Sequence, residues 1–138
     1  MRVLALDHGT VRIGCALSDP SGTLATPLPT IEPPEVRAVA ELVDEHGVER
    51  VVVGLPLHLS GEEGSQAGLA RSFCRELEAM LPVPVETYDE RLTTRMADAS
   101  RRGGASAARD SLAAAHLLES YLASVNPPSV GDDDLDER

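Results

Sequence analysis

The amino-acid sequence predicts an α/β protein in which a mixed five-stranded sheet is flanked by helices. Apolar runs of strand length alternate with segments of helical periodicity along the 138 residues. The first three strand-like runs follow one another without a helix between them, which is typical of an antiparallel meander. The three valines at 51–53 show no polar alternation, as expected of a parallel strand that is buried on both faces. The resulting order, β-β-β-α-β-α-β-α-α, indicates one mixed sheet with helices packed on it.

Two short apolar runs at the start of the chain are close enough to pair as a hairpin. The first covers residues 2–6 and ends at the Asp-His-Gly-Thr sequence of 7–10, and the second covers residues 12–18. The glycine between them suits a tight connection. A third strand is predicted over residues 23–28, where two prolines curtail it because proline lacks the N–H group that a sheet uses.

The next segment predicts a helix that is bounded by proline and glycine. Val36, Ala40 and Val43 recur at helical spacing, and Gly47 ends the element. Proline is favoured at the first position of a helix, where its missing N–H costs nothing, and we therefore expect Pro34 near that position.

The middle of the chain predicts a strand, a loop, a second helix and a further strand. The strand covers residues 48–53, and the Gly- and Pro-containing loop of 54–64 follows its carboxyl end, which is where open α/β sheets place ligands. The helix is expected from Ser65 to about residue 81, and the next strand covers residues 83–88. The predicted apolar face of this helix consists of Leu69, Phe73, Leu77 and Met80.

The last third of the chain predicts two helices and a tail. A short helix over 93–100 precedes a basic, glycine-containing break at 101–105, and a longer helix covers 106–125. Its predicted apolar stripe consists of Ser111, Ala115, Leu118, Leu122 and Val125. We expect one domain over residues 1–126, and an acidic, disordered tail over residues 127–138.

The charge distribution bears on possible ligands. The formal net charge is −11, from 12 basic residues, all of them arginine, and 23 acidic ones. Such an average argues against a simple nucleic-acid binder, whose surface is usually basic. The charge is uneven, however, because residues 91–109 contain five arginines and one acid, whereas the tail is strongly acidic. A polyanion would meet the local patch rather than the average.

Two further observations predict a cytoplasmic protein. Cys15 and Cys74 lie within apolar patterns, which favours buried free thiols over a disulfide. No basic leader precedes a long apolar run, and no stretch approaches the roughly 20 apolar residues of a membrane span.

Three carboxylates stand at the edges of predicted buried surfaces. Asp7 ends a strand, Glu90 lies just beyond another, and Asp110 lies in the first turn of the last helix, beside its apolar face. A carboxylate in such a place is costly unless it is compensated, and hard oxygen ligands suit Mg²⁺ or Mn²⁺. With two such ions, a carboxylate cluster can activate water and stabilise the leaving oxygen in phosphodiester cleavage.

Each carboxylate also has a structural explanation. Asp7 could form an Asx-turn over the glycine that follows. Glu90 could pair with Arg91 or Arg95 at the surface, and Asp110 could interact with the dipole of its helix. These alternatives stay open here, because spacing alone does not bring the three residues together.

Four separated segments give the chain a resemblance to a known family. They are LDHGTVRIG at 6–14 with Ser-Asp after it, the stretch VGLP to Gly at 53–61, YDERLTT at 88–94, and RDSLAAA at 109–115 followed by LLESYL at 117–122. In this order and over most of the chain, they resemble the YqgF (RuvX) family of Holliday-junction-resolvase-like or pre-16S rRNA nucleases.

The resemblance implies an RNase H-like fold and a carboxylate trio, Asp7, Glu90 and Asp110, that binds Mg²⁺ or Mn²⁺. It also makes Asp89 a candidate assistant, for which a structural role is equally open. We expect the nucleic acid to contact side chains at the shoulders of the motifs and in the basic stretch. These are Thr10, Arg12, Arg91, Arg95, Arg101, Arg102 and Arg109.

Three classes of function remain open at this point. The first is a metal-dependent endonuclease for structured RNA, the precursor of small-subunit ribosomal RNA, with branched DNA as the alternative substrate. The second is a non-catalytic nucleic-acid-binding module of the same fold. The third is a nucleotide-binding half-domain, because the Asp-x-Gly-Thr pattern also resembles the phosphate loop of actin-like ATPases, although those enzymes need two such domains. A homodimer is expected for symmetrical cleavage of branched DNA, since two nicks need two sites.

Overall fold

The computed structural model describes residues 1–56, 64–90 and 106–125. These residues form five strands and three helices in the following order: β1 (Val3–His8), β2 (Ile13–Ser18), β3 (Ala25–Ile31), α1 (Val36–His46), β4 (Arg50–Leu55), α2 (Ser65–Met80), β5 (Val85–Asp89) and α3 (Ser106–Val125). The predicted helix at 93–100, the basic break and the acidic tail lie outside the described residues. Among the helices that are described, none is long and apolar enough to span a membrane.

The five strands form one mixed sheet in the order β3-β2-β1-β4-β5. The first three strands are an antiparallel meander, whereas β4 is parallel to β1 and β5 is parallel to β4. Parallel neighbours require a crossover connection, which α1 supplies before β4 and α2 supplies before β5. The mixed five-stranded sheet predicted from the sequence is confirmed.

Alternating side chains of the central strands fill two cores, one on each face of the sheet. On one face, α1 and α2 cover residues that include Leu4, Leu6, Cys15, Val51 and Val53. On the other face, α3 is the described helix that covers Val3, Ala5, Ala16 and Val52. The run of valines in β4 is therefore buried from both sides, as its lack of polar alternation predicted.

The first strand is longer than predicted. Asp7 pairs with Gly14 and His8 pairs with Ile13, so the ladder continues past the apolar run. The prediction that Asp7 ends the strand is therefore wrong by one residue. An apolar count misses the end of the strand because backbone hydrogen bonds, which are independent of side-chain polarity, extend it.

The third strand runs to Ile31 and contains both prolines that were expected to curtail it. Pro27 pairs with Ala16 of β2, while none of the described strands lies on the other side of β3. A proline is tolerated in an edge strand where its missing N–H would face away from the sheet. The length of β3 was therefore underestimated, because its position at the edge was unknown.

The helices agree with the predicted bounds but differ in detail. Gly47 closes α1 in a left-handed conformation, with φ of 63°, as predicted, whereas Pro34 lies two residues before the first helical residue. The predicted face of α2 is partly wrong, because Leu69 and Met80 are 45% and 55% exposed. Small side chains form much of the buried face instead, namely Ala67, Ala70 and Cys74 beside Phe73 and Leu77. In α3, Val125 is exposed although it was assigned to the apolar stripe.

Both cysteines are free and buried, which confirms the expectation of thiols. Burial raises the pKa of Cys15 to about 12, and it also raises the pKa of Cys74. Both thiols therefore stay protonated near neutral pH and behave as small apolar side chains.

The hydroxyl of Ser111 connects α3 to two strands of the sheet. The β2–β3 ladder shifts register between Ile13 and Cys15. At this irregularity Ser111 donates a hydrogen bond to the carbonyl of Leu28 at 2.6 Å and accepts one from the N–H of Cys15 at 3.4 Å. Ser111 is only 5% exposed, so these hydrogen bonds lie within the buried contact between α3 and the sheet.

We expect Ser111→Ala to lower the free energy of unfolding by about 1–3 kcal/mol, because a part-buried carbonyl and a buried N–H lose a partner. Urea denaturation measures this change. The matched control is Ser124→Ala, since the exposed Ser124 donates to the carbonyl of Tyr121 in its own helix and, among the described residues, to no other acceptor. This control should change the free energy of unfolding by no more than about 0.5 kcal/mol. Equal effects of the two substitutions would contradict the structural role of Ser111.

Candidate active site

Asp7 lies in the middle of the sheet, between two glycines on the neighbouring strands. In β2, Gly14 is its direct partner. In β4, Val53 pairs with Leu6, so Gly54 is the next residue along, beside Asp7. Strand alternation places the Asp7 side chain on the face that packs against α3. The carboxylate is thus flanked on both sides by positions that have no side chain.

The carboxyl group of Glu90 occupies the space above one of these glycines. A Cβ atom added to Gly54 would lie 2.5 Å from Oε2 of Glu90 and 3.0 Å from its Cγ. Glu90 directly follows β5, whose Tyr88 pairs with Gly54. Glycine at position 54 therefore makes room for the carboxylate that was predicted from the sequence.

The backbone of Asp110 lies against the other glycine. A Cβ atom on Gly14 would collide with the carbonyl group of Asp110 and would lie 3.1 Å from its Cβ. This close approach brings α3 into contact with β2 beside Asp7. Because α3 begins at Ser106, Asp110 is beyond the first turn, and the predicted first-turn position is wrong. The alternative explanation through the helix dipole loses its basis, since that effect falls off within the first turn.

Two glycines thus bring the three predicted carboxylates around one patch of the sheet. Among the residues that the structure describes, no three metal-ligating side chains form a cluster that would hold an ion. Glu90 instead lies above Gly54 and the backbone of Asp110 lies against Gly14, on either side of Asp7. Mg²⁺ usually retains several waters and binds protein through one or two carboxylates, so carboxylate oxygens that are not gathered into a closed cage suit it.

The turn between β1 and β2 forms one rim of this patch. The N–H of Gly9 donates to the carbonyl of Arg12 at 3.0 Å, and Thr10 is exposed at the tip of the turn. Nη1 of Arg12 lies 3.4 Å from Oδ2 of Asp110, and its Nε lies 3.6 Å from Oε1 of Glu32. The structure therefore places two of the predicted nucleic-acid contacts, Thr10 and Arg12, at the site.

The remaining predicted contacts are only partly covered by the structure. Arg109 is partly exposed and directly precedes Asp110. The other predicted arginines lie outside the described residues, and they are Arg91, Arg95, Arg101 and Arg102. These positions stay predictions.

Two residues next to the trio lie on the opposite face of the sheet. Asp89 pairs with Leu55, a residue of the core beneath α1 and α2, so the register does not favour an assisting role for Asp89. His8 stacks on Phe73 of α2, with ring centroids 4.5 Å apart. Burial lowers the pKa of His8, although the charge of Glu76 opposes this shift. His8 is therefore a packing residue.

The residue that the sequence analysis missed is Glu32. It directly follows β3, and the pairing of Ile13 with Ile31 brings it beside Arg12. No local signal marks an exposed glutamate before a pair of prolines, because its proximity to the site arises only from strand pairing.

Comparison with known proteins places this geometry in a family. The sequence profile of the RuvX family, described as Holliday junction resolvase, matches residues 1–124. The chain belongs to the RuvX family. Among its relatives is a protein of Chloroflexus aurantiacus with 47% identity over 131 residues, which covers 87% of this chain and 85% of the relative. A protein of Moorella thermoacetica is 44% identical over 133 residues, covering 88% of this chain and 94% of the relative. Both carry the name "Putative pre-16S rRNA nuclease".

Solved structures of similar fold confirm the predicted RNase H-like architecture of this RuvX protein. The RuvC protein of Thermus thermophilus in complex with a Holliday junction substrate matches with a TM-score of 0.61 at 19% identity, covering 91% of this chain and 97% of that one. A second Thermus thermophilus RuvC structure matches with a TM-score of 0.58 at 19% identity, covering 91% and 96%. At this identity the similarity is one of fold.

The two glycines of the RuvX site predict opposite consequences of adding a methyl group. In Gly54→Ala the new Cβ meets the movable end of a carboxylate, so we expect little change in stability but roughly tenfold weaker Mn²⁺ binding. In Gly14→Ala the new Cβ meets the backbone of α3, which cannot move aside easily. We therefore expect the free energy of unfolding to fall by about 1–3 kcal/mol or more. Chemical denaturation and calorimetric titration of Mn²⁺ measure the two effects. Greater destabilisation by Gly54→Ala than by Gly14→Ala would refute this description of the site.

Proposed function

We propose that this RuvX protein is a metal-dependent endonuclease that hydrolyses phosphodiester bonds. The observation that carries the proposal is the pair of glycines beside Asp7, which give Glu90 and Asp110 access to the same surface. Carboxylates from a central strand, a strand end and a helix are brought to the same part of the sheet. Placing such charges at a partly buried surface is energetically unfavourable unless a cation compensates them. Membership of a family described as Holliday junction resolvase supports the same chemistry.

In this proposal Asp7, Glu90 and Asp110 hold Mg²⁺ or Mn²⁺. A bound divalent ion would supply an activated water and stabilisation of negative charge on the phosphate. The hydroxyl of Thr10 and the guanidinium of Arg12 stand at the rim, where they can contact phosphate oxygens. Arginine suits this task because its planar fork matches phosphate geometry. The basic stretch of 91–109 extends the contact along the backbone of the nucleic acid.

The proposed substrate is a structured RNA, the precursor of small-subunit ribosomal RNA. The names of the curated relatives support this choice. Branched DNA is the alternative, which the description of the family supports. Symmetrical cleavage of a junction would need two sites, so the alternative includes a homodimer.

The proposal also includes a cytoplasmic location and a separate tail. The free, buried state of Cys15 and Cys74 favours a reducing compartment. The nuclease domain covers residues 1–126, and the acidic segment 127–138 follows the end of α3. Because the net charge is −11, binding should depend on the local arginines and should weaken steeply with salt.

We expect Asp7→Asn to reduce cleavage by roughly 100-fold or more, because it removes a charged ligand. The assay uses a labelled precursor rRNA fragment and a synthetic four-way junction, each with Mg²⁺, Mn²⁺ or EDTA. The control is Asp44→Asn, which makes the same chemical change at an exposed position of α1, on the opposite face of the sheet. This control should cleave as the unmodified protein does.

Each outcome of this assay decides between the candidate functions. Cleavage of the RNA alone supports the leading substrate, and cleavage of the junction alone supports the alternative. Equal cleavage by Asp7→Asn and the unmodified protein would remove Asp7 from the mechanism. Tight binding of RNA without metal-dependent cleavage would replace the nuclease by a non-catalytic binding module.

A further inference from the structure

Arg12 lies between two carboxylates from different parts of the fold. Its Nη1 is 3.4 Å from Oδ2 of Asp110 in α3, and its Nε is 3.6 Å from Oε1 of Glu32 beyond β3. The Arg12 side chain is 23% exposed, against 38% for Asp110 and 54% for Glu32. A largely enclosed cation therefore has one partner inside the carboxylate trio and one outside it.

Neither contact holds Arg12 tightly. Both distances exceed those of a strong charge-assisted hydrogen bond, which are about 2.7–2.9 Å. In addition, Nε of Arg12 is buried and makes no hydrogen bond within the described part of the chain. A buried donor without an acceptor is costly, so this atom is suited to gaining an acceptor when a ligand binds.

The contact with Asp110 engages a carboxylate oxygen of a proposed metal ligand. Asp110 reaches the site because α3 packs against Gly14, opposite Asp7. A divalent cation at Asp110 would sit next to the positive charge of the guanidinium, and the two cations repel each other. Glu32 lies beyond the edge strand and offers Arg12 a position farther from Asp7.

We propose that Arg12 is a displaceable counter-ion of the metal site. It neutralises Asp110 until a divalent cation binds there, and it then turns to Glu32 and to a phosphate oxygen of the nucleic acid. This inference rests on the proposed function and adds a coupling to it. Metal binding releases a guanidinium for phosphate, so metal and nucleic acid strengthen each other's binding, and by reciprocity the coupling is equal in both directions.

The test is calorimetric titration of Mn²⁺ into the full chain without nucleic acid. Arg12→Gln removes the competing cation and should tighten Mn²⁺ binding about two- to fivefold, the range expected for a weak ion pair. Glu32→Gln leaves Arg12 with Asp110 alone and should weaken Mn²⁺ binding by a similar factor. Arg12→Lys keeps the charge but loses the fork, and should tighten binding less than Arg12→Gln does.

Two variants control for the change in net charge. Arg37→Gln and Glu35→Gln alter exposed side chains of the same types in and next to α1, and Glu35 makes no side-chain capping bond. Screening at physiological salt should keep their effects on Mn²⁺ affinity below those of the site variants. Thermal unfolding of each variant confirms that the fold is retained.

A second titration measures the coupling directly. Filter binding of the precursor rRNA fragment with and without Mn²⁺, in the Asp7→Asn background, avoids cleavage. In the protein that carries Asp7→Asn alone, Mn²⁺ bound by the remaining ligands should raise the affinity for RNA several-fold. When Arg12→Gln is added, most of this Mn²⁺-dependent gain should be lost.

The outcomes separate this inference from the proposed function. Unchanged Mn²⁺ affinity in Arg12→Gln, or a shift of Arg12→Gln and Glu32→Gln in the same direction, would overturn the counter-ion role and leave the nuclease intact. Failure of the unmodified protein to bind Mn²⁺ would overturn the proposed metal site itself.

Discussion

The rest of the site depends on the contact between the backbone of Asp110 and Gly14. A helix comes within backbone distance of a sheet only where a strand residue lacks a side chain, and here that residue is the partner of Asp7. The next helical residue, Ser111, then bonds to both β2 and β3 and fixes the register of α3. One missing Cβ therefore determines where a carboxylate from the end of the chain meets a carboxylate from its beginning.

A polar network at the other end of α3 fixes its distance from β5. Tyr121 donates to Glu86 at 3.0 Å, and the same carboxylate pairs with Arg50 at the start of β4. Tyr88 stacks edge-on against Tyr121 and shares a 2.8 Å hydrogen bond with Ser120. Burial and the bond to Glu86 raise the pKa of Tyr121, so its hydroxyl stays a donor. Because β5 leads directly to the glutamate of the trio, this network sets the spacing between that glutamate and α3.

The sequence predicted what periodicity and motifs determine, and it missed what depends on neighbours. The mixed five-stranded sheet, the buried β4 and the glycine cap of α1 followed from local patterns. The length of β3 could not be predicted, because only an edge position makes its prolines acceptable. The buried face of α2 was partly wrong, because close packing selects Ala67 and Ala70 over the larger Leu69. The contact between Glu32 and Arg12 could not be predicted from the sequence, because strand pairing alone brings the two residues together.

The net charge of −11 has a different meaning once the site is located. Three of the acids lie beside the same two glycines of the sheet, and like charges brought near one another repel unless a cation compensates them. Arg12, in the turn beside Asp7, partly compensates the negative charge of Asp110, because its guanidinium lies next to that carboxylate. A weak, part-exposed ion pair can be exchanged for a metal ion, whereas a tight bidentate pair would block it. Three of the 23 acids that argue against nucleic-acid binding on average thus lie where a cation, and through it a phosphate, would be held.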